Sequence, residues 1–506
     1  MKSEKLTVTS SRPKGGRGIF LPLKRTECAY FLVLLVLVLF FAIYTSLKFP
    51  YTYITMEGND FWVLTRDYWQ LKLGMTPAVT NWLADFLMQF YRSPYIAAGI
   101  EALILGAIGL LTHYILKYFP LKDWTKTVLL WMGLLPTVLL GFLFTFNLSF
   151  QLEWLFFFIL LLLYLKIPNL WGRILWSLFC VPAGFMLMQM PILLCLVGMQ
   201  TLCDVNVYGK KKLLYFIPTI LLSSVAPLIY SQQVAFIPSD KRYDFQDFYL
   251  IPLTGSYNQN GETLNKIVCL ANEGRWEDLL YKEHVKRDAQ RGNGIALRYA
   301  LLAESALGTL PENLLDYPIN DENLFLYPHQ RELVTLQFNR LFYLDLGIYD
   351  EAFHQAMEYG LLMPNGINFS SLRQMVDYSI EEGDLEIADK YLHILSKSLC
   401  HKKFVEERRG KIQKVSTLMG NSEGAPLRAD NFVGGFPLPI EMLRLARYYK
   451  DSPNRKKMVD YAICSYILRG DVSSFMIALQ AFDFYKDKDL PRAYRQFLES
   501  AKSSLP

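Results

Sequence analysis

Residues 28–47 read CAYFLVLLVLVLFFAIYTSL, twenty positions without a charge. A helix rises about 1.5 Å per residue, so such a run reaches across the roughly 30 Å hydrocarbon core of a bilayer. Lys2, Lys5, Arg12, Lys14, Arg17, Lys24 and Arg25 precede it. The run is too long for the apolar segment of a cleaved leader and lacks a clear small-residue cleavage site. It predicts an uncleaved anchor, with the basic tail 1–27 in the cytoplasm and GGRG (15–18) a flexible part of that tail.

The rest of the chain divides in two. Residues 28–231 are dense in Leu, Phe, Ile and Trp, whereas 232–506 are mixed and charged. The whole is 506 residues, 52% apolar, with a net charge of +5. The positive charge clusters in short loops, so it is a topology signal and not a nucleic-acid footprint. Seven cysteines without a CxxC argue against a disulfide framework or a zinc site. Further apolar runs cover 94–116, about 127–146, about 152–165, and 213–231. The stretch from Arg173 to Asp204 has Lys166 and Arg173 before it and Lys210, Lys211 and Lys212 after it, so both ends belong on the cytoplasmic side. It is therefore predicted as a hairpin turning near Pro191, and 126–166 as another hairpin with FNLSFQLE at its outer tip. The sum is about seven spans, with the N-terminus inside and the C-terminal half outside, periplasmic in a bacterial inner membrane.

This topology gathers polar residues on one side. The first outer loop, 49–93, contributes Glu57, Asn59, Asp60, Arg66 and Asp67; the next turns contribute Asn147, Gln151, Glu153 and Gln189. Carboxylates at the edge of hydrocarbon are costly unless paired or wet, which makes them site candidates. DFWVLTRDYWQLKL places Phe61, Leu64, Tyr68 and Leu71 on one helical face; Gly74 and Pro77 break it, and AVTNWLADFLMQFY forms a second amphipathic helix. Such helices lie in the interface plane. Structural readings stand beside the chemical ones. Asp60 can be the N-cap of a helix starting at Phe61, Glu153 can mark the wet end of a helix, and Arg66 and Asp67 can be surface charges. Gln189 can bond backbone freed near Pro191, and Glu101 and His113 can satisfy neighbouring helices.

A long outer loop that opens with an acid, runs on as interfacial helices and leads into a membrane hairpin resembles the class C membrane glycosyltransferases, which use polyprenyl-phosphate-linked sugar donors. The resemblance covers about 28–231. It implies that Asp60, with Glu57 as substitute, acts as general base on the acceptor. It implies that Glu153, with Asp60, helps hold Mg²⁺ or Mn²⁺, and that Arg66 meets a donor phosphate. Asn147, Gln151 and Gln189 are then binding candidates. Transfer from a lipid phosphate does need a base and a cation at the departing phosphate. Asp60 stands in neither a DxD nor a DE pair, and Glu153 stands alone.

Beyond a lead-in segment, 232–263, helical patterns dominate and strand alternation is absent. GIYDEAFHQAMEYGLLMP has Gly347, Ala352 five residues on and Pro364 at seventeen; GDLEIADKYLHIL has Gly383 and Ala388 at the same spacing. Small residues at these sites let paired helices approach. The pattern resembles the second half of tetratricopeptide (TPR) repeats, with looser copies at Gly274, Gly308 and Ala493. Such solenoids bind peptides or proteins on a concave face. His284, His329, His354, His393 and His401 show no metal-ligand spacing and read as surface or packed histidines. Residues 420–439 read as a loop.

The expectation is thus all-α: a polytopic membrane domain (28–231) and an external helical-repeat domain (264–506). Two functions fit. One is a glycosyltransferase-like enzyme moving a sugar or oligosaccharide from a polyprenyl phosphate to an acceptor on the outer face. The other is a membrane-anchored TPR scaffold for an envelope complex. An inverted repeat or a charged mid-membrane pair, as in a transporter, is not evident.

Overall fold

A computed structural model describes residues 25–118, 128, 131–143, 148–208, 217, 221, 225, 261–319, 332–363, 365–420, 438–485 and 489–503. Among the described residues every regular element is a helix. Four helices are long and apolar enough to cross a membrane: α1 (Arg25–Lys48), α5 (Pro94–Leu116), α7 (Leu148–Lys166) and α8 (Leu170–Leu187). Three are expected runs. The fourth is the first half of the expected 173–204 hairpin, whose second half is the apolar α9 (Met190–Tyr208). The chain breaks at Met188 and Gln189, just ahead of Pro191. The expected span 127–146 is described only in part, with α6 (Leu135–Val138) and a π turn at Leu139–Leu143. The expected last span, 213–231, lies almost wholly outside the described residues, as do the basic tail and the lead-in segment up to Asn260.

α1 lies along α5, where Tyr30 donates to the carbonyl of Gly109 at 2.8 Å. Gly109 permits this approach: a Cβ there would stand 2.5 Å from Leu34 Cδ1. Leu32, Leu35, Leu39, Ile43 and Leu47 of α1 face outward, an apolar surface suited to lipid.

The loop 49–93, expected on the outer side, forms α2 (Pro50–Asn59), α3 (Arg66–Leu73) and α4 (Ala78–Met88). Here the structure departs from the expected helix. Residues 60–65 are not helical, and α3 begins only after Thr65, whose hydroxyl accepts from the Tyr68 amide at 3.3 Å. Asp60 is therefore not an N-cap; it closes the C-terminal end of α2 in extended conformation. Phe61, Trp62, Val63 and Tyr68 are drawn into the core of the C-terminal half, while Leu64 and Leu71 are exposed. Phe49, Tyr53, Ala84 and Tyr91 pack instead into the membrane core. The loop thus belongs to both halves.

The C-terminal half packs α10 (Glu262–Asn272), α11 (Val285–Gln290), α12 (Gly294–Ala306) and α13 (Leu310–Asn313) against a series of helical hairpins. These include α14 (Leu333–Leu346) with α15 (Tyr349–Leu361), and α16 (Phe369–Glu382) with α17 (Leu385–Leu395). After α18 (Lys402–Gly420) come α19 (Leu438–Tyr448), α20 (Arg455–Arg469), α21 (Val472–Ala481) and α22 (Arg492–Ser503). Gly347 and Gly383 end α14 and α16 with φ of +75° and +88°, the left-handed conformation that glycine adopts without strain. Ala352 and Ala388 are fully buried where the paired helices meet. Pro364 lies outside the described residues.

Candidate functional site

The loop 49–93 meets the helical half through α2. Its N-terminal amides, orphaned by helix geometry, are capped from far along the chain. Glu262 accepts from the amides of Tyr51 and Thr52 at 2.9 and 2.8 Å and from the Thr52 hydroxyl at 2.6 Å. One turn further on, Glu57 is 1% exposed. Arg373 of α16 holds it with a two-pronged ion pair, Nη1 to Oε1 at 2.7 Å and Nη2 to Oε2 at 3.0 Å. His401 Nε2 stands 3.0 Å from the same Oε1, and its ring stacks on Phe369. Burial pushes the Glu57 carboxyl up, but the Arg373 charge and the His401 contact outweigh it and hold the group at about 2. A carboxylate so low is a weak base.

Asp60 has different company. Its backbone carbonyl accepts from the Phe369 amide at 2.8 Å, and its side-chain Oδ2 has no hydrogen-bond partner among the described residues. Beside it lies a buried polar cluster. Lys72 pairs with Asp85 and donates to Asn365 Oδ1 at 2.6 Å; Tyr68 donates to Asp85 and lies 2.6 Å from the Phe61 carbonyl. Burial first, and then the Asp85 charge, push Asp60 well up toward its protonated form. Two carboxyls compete for one ammonium, and both stand above their ordinary values, mainly through burial.

The other expected site residues are scattered. Glu153 is fully buried and accepts from the Gln189 backbone amide at 2.8 Å and its side-chain amide at 3.2 Å. This joins α7 to the break before α9. Gln151 is fully buried, with neither amide atom partnered among the described residues. Arg66 and Asp67 are exposed, and Asn147 lies outside the described residues. Glu101 accepts from Tyr53 at 3.1 Å and Tyr91 at 3.0 Å, a satisfied structural acid. Among the described residues, no group of three or more His, Cys, Asp or Glu side chains could hold a metal ion. Both Glu153 oxygens serve Gln189, and Asp60 faces the Lys72 cation, so this donor set does not fit Mg²⁺ or Mn²⁺.

A cleft opens between α2 and the helical half, with a volume of about 170 Å³. Asn59 of α2, Asn272 of α10, Gln337 and Arg340 of α14, Tyr359 of α15 and Arg373 of α16 line it. Arg340, Arg373, Lys72 and Asp85 are not among the site residues expected from the sequence. Two of them carried a signal: Lys72 and Asp85 each sit among apolar residues of an amphipathic helix, where a charge has to find a buried partner.

A family model matches residues 24–502. The chain belongs to DUF6057. That family is described as a family of unknown function, and the match takes in the membrane helices, the outer loop and the helical half together. No curated protein and no solved structure matches this DUF6057 chain.

Proposed function

We propose that this DUF6057 protein is a glycosyltransferase-like protein of a bacterial inner membrane. It transfers a sugar or oligosaccharide from a polyprenyl-phosphate donor to an acceptor on the outer, periplasmic face. About seven spans, with the N-terminus cytoplasmic, carry the outer loop, and a TPR-like helical half binds the acceptor or a partner. The observation that supports this reading is the position of the cleft. It lies under α2, which follows the first membrane helix after one residue, and it is lined by arginine, amide and tyrosine side chains. A polar cleft at the end of a span suits the head group of a lipid-linked ligand, and amides and tyrosines suit sugar hydroxyls. In this reading Asp60, whose carboxyl burial and the Asp85 charge raise, is the general base on the acceptor in place of the tightly paired Glu57.

The test compares glycoprotein and glycolipid profiles of three strains: intact, deleted for this protein, and carrying Asp60→Asn at normal abundance. Asn keeps the shape of Asp, so folding should survive. Loss of one glycan band in both altered strains supports transfer; an unchanged profile in the deletion strain sinks it. The second reading, a membrane-anchored scaffold for an envelope complex, is favoured by one observation. Glu57 is spent on holding the loop to Arg373 and His401. A band lost on deletion but kept in Asp60→Asn would move the account to that reading.

A further inference from the structure

We propose that the cleft binds a small phosphate group, with the buried guanidinium of Arg340 supplying the charge. The inference rests on the cleft being a ligand site, as above, and requires no transfer reaction.

Arg340 lies in the middle of α14 and is 4% exposed. Its Nη1 donates to the Tyr378 hydroxyl at 3.2 Å and its Nη2 to Asn272 Oδ1 at 2.9 Å. Both acceptors are neutral, and among the described residues no carboxylate pairs with it. A buried charge without a counter-charge is strongly unfavourable, so such a group calls for an explanation. The other charges at the cleft are already balanced. Arg373 is neutralised by Glu57; the half-exposed Glu273 meets Arg275 at 3.2 Å, and Arg275 also holds Asp278, to which Lys282 pairs at 2.6 Å. One uncompensated positive charge remains, and it lines an open volume.

The hydrogen-bonding groups point the same way. Asn272 has committed its oxygen to Arg340, which leaves its amide N–H groups to donate. Asn59 has committed its oxygen to the Tyr359 hydroxyl at 2.7 Å, which itself accepts from Gln337 at 2.7 Å. That chain of bonds fixes the amide orientation and leaves the Asn59 N–H groups as donors. Cation and amide donors thus come from three helices, α14, α10 and α2. Phosphate oxygens point in several directions and can meet donors from all three; a planar carboxylate has two oxygens in one plane. The volume, about 170 Å³, sets the size. Sites for drug-sized ligands run from about 300 to 1,000 Å³, so this one takes a phosphate with at most a small attached group.

The test uses the purified full chain in a neutral detergent. Thermal unfolding is followed with inorganic phosphate, with glucose 1-phosphate, and with chloride at matched ionic strength. A parallel arm compares nanodiscs containing phosphatidic acid with nanodiscs of phosphatidylcholine alone. The expected result is a concentration-dependent rise in Tm with phosphate beyond that with chloride, as for any ligand selective for the folded state. A response to the soluble phosphates assigns a soluble source, and a response to phosphatidic acid alone assigns a lipid head group; both uphold the phosphate site. Arg340→Gln should lose the response. Asn272→Asp places a carboxylate against Arg340, so it should raise Tm without phosphate and lose the response; this variant keeps the test decisive if Arg340→Gln does not fold. Equal Tm in phosphate and chloride and no response to phosphatidic acid, or a response that survives Asn272→Asp, overturns the proposal. An unchanged glycan profile in the deletion strain would remove the transfer reaction and leave the phosphate site standing.

Discussion

Glu57 and Asp60 stand three residues apart in one loop and are driven in opposite directions. The difference is in the partners: Glu57 faces a guanidinium, whereas beside Asp60 the Asp85 carboxyl outweighs the Lys72 ammonium. The pairing of Glu57 sets a pH dependence. Its folded value, about 2, lies below the ordinary 4.5, so its contribution to stability is complete above about pH 4.5 and is lost as pH falls toward 2. Burial lowers His401 below its ordinary 6.5, so it too stabilises at neutral pH and withdraws that support as pH falls below 6.5. Unfolding in detergent should therefore become easier in two stages on acidification. Glu57→Gln should lose about 3 kcal/mol at neutral pH, because it strands Arg373, and should flatten the lower stage. A variant with wild-type stability and an unchanged acid limb would refute this account of the latch. The sequence reveals that Glu57 and Asp60 are unusual, since acids beside a membrane demand partners. It cannot reveal which partners, because Arg373 and His401 lie more than 300 residues away.

Helical elements follow local rules closely. The apolar runs become α1, α5, α7 and α8 because nothing but a helix satisfies their backbone in lipid. The glycine–alanine spacing marks tight hairpins at Gly347 and Gly383, because a left-handed glycine and a buried alanine are both local requirements. The same logic applies at Gly470, with φ of +69°, which joins α20 to α21 and was not singled out by spacing, since a buried Phe475 takes the alanine's place. The expected helix over 61–73 fails at its start for a tertiary reason. Phe61, Trp62 and Val63 gain more by burial in the helical half than a turn of helix would supply. The hairpin glycines differ in what surrounds them. A Cβ at Gly347 would stand 2.3 Å from Asn454 Nδ2, whereas one at Gly274 meets nothing within 4 Å. Left-handed backbone costs an alanine about 1–2 kcal/mol. Gly274→Ala should lose only that amount; Gly347→Ala should lose more, since Asn454 must also move. Equal losses in denaturant unfolding would show that α14 and α20 do not meet closely there.

For the whole molecule, the division into an apolar N-terminal half and a charged helical half is legible from composition. The join between them is not. Hydropathy treats 49–93 as a loop, yet Tyr53 and Tyr91 pack with the membrane helices while Phe61 and Trp62 pack with the C-terminal half. Both proposals depend on that join, because the cleft exists only if α2 is seated on α10, α14 and α16. The most direct measurement is a disulfide across it. A Cβ at Gly58 would lie 3.3 Å from Ser370 Cβ, within a few tenths of the roughly 3.5–4.5 Å found in disulfides. Gly58→Cys combined with Ser370→Cys, in native membranes under mild oxidation, should form an intramolecular cross-link that neither single substitution gives over the seven natural cysteines. The link should appear as a mobility shift reversed by reduction. If the double variant is present at normal abundance and stays reduced, α2 is not seated on the helical half, and the cleft with its phosphate site falls with it.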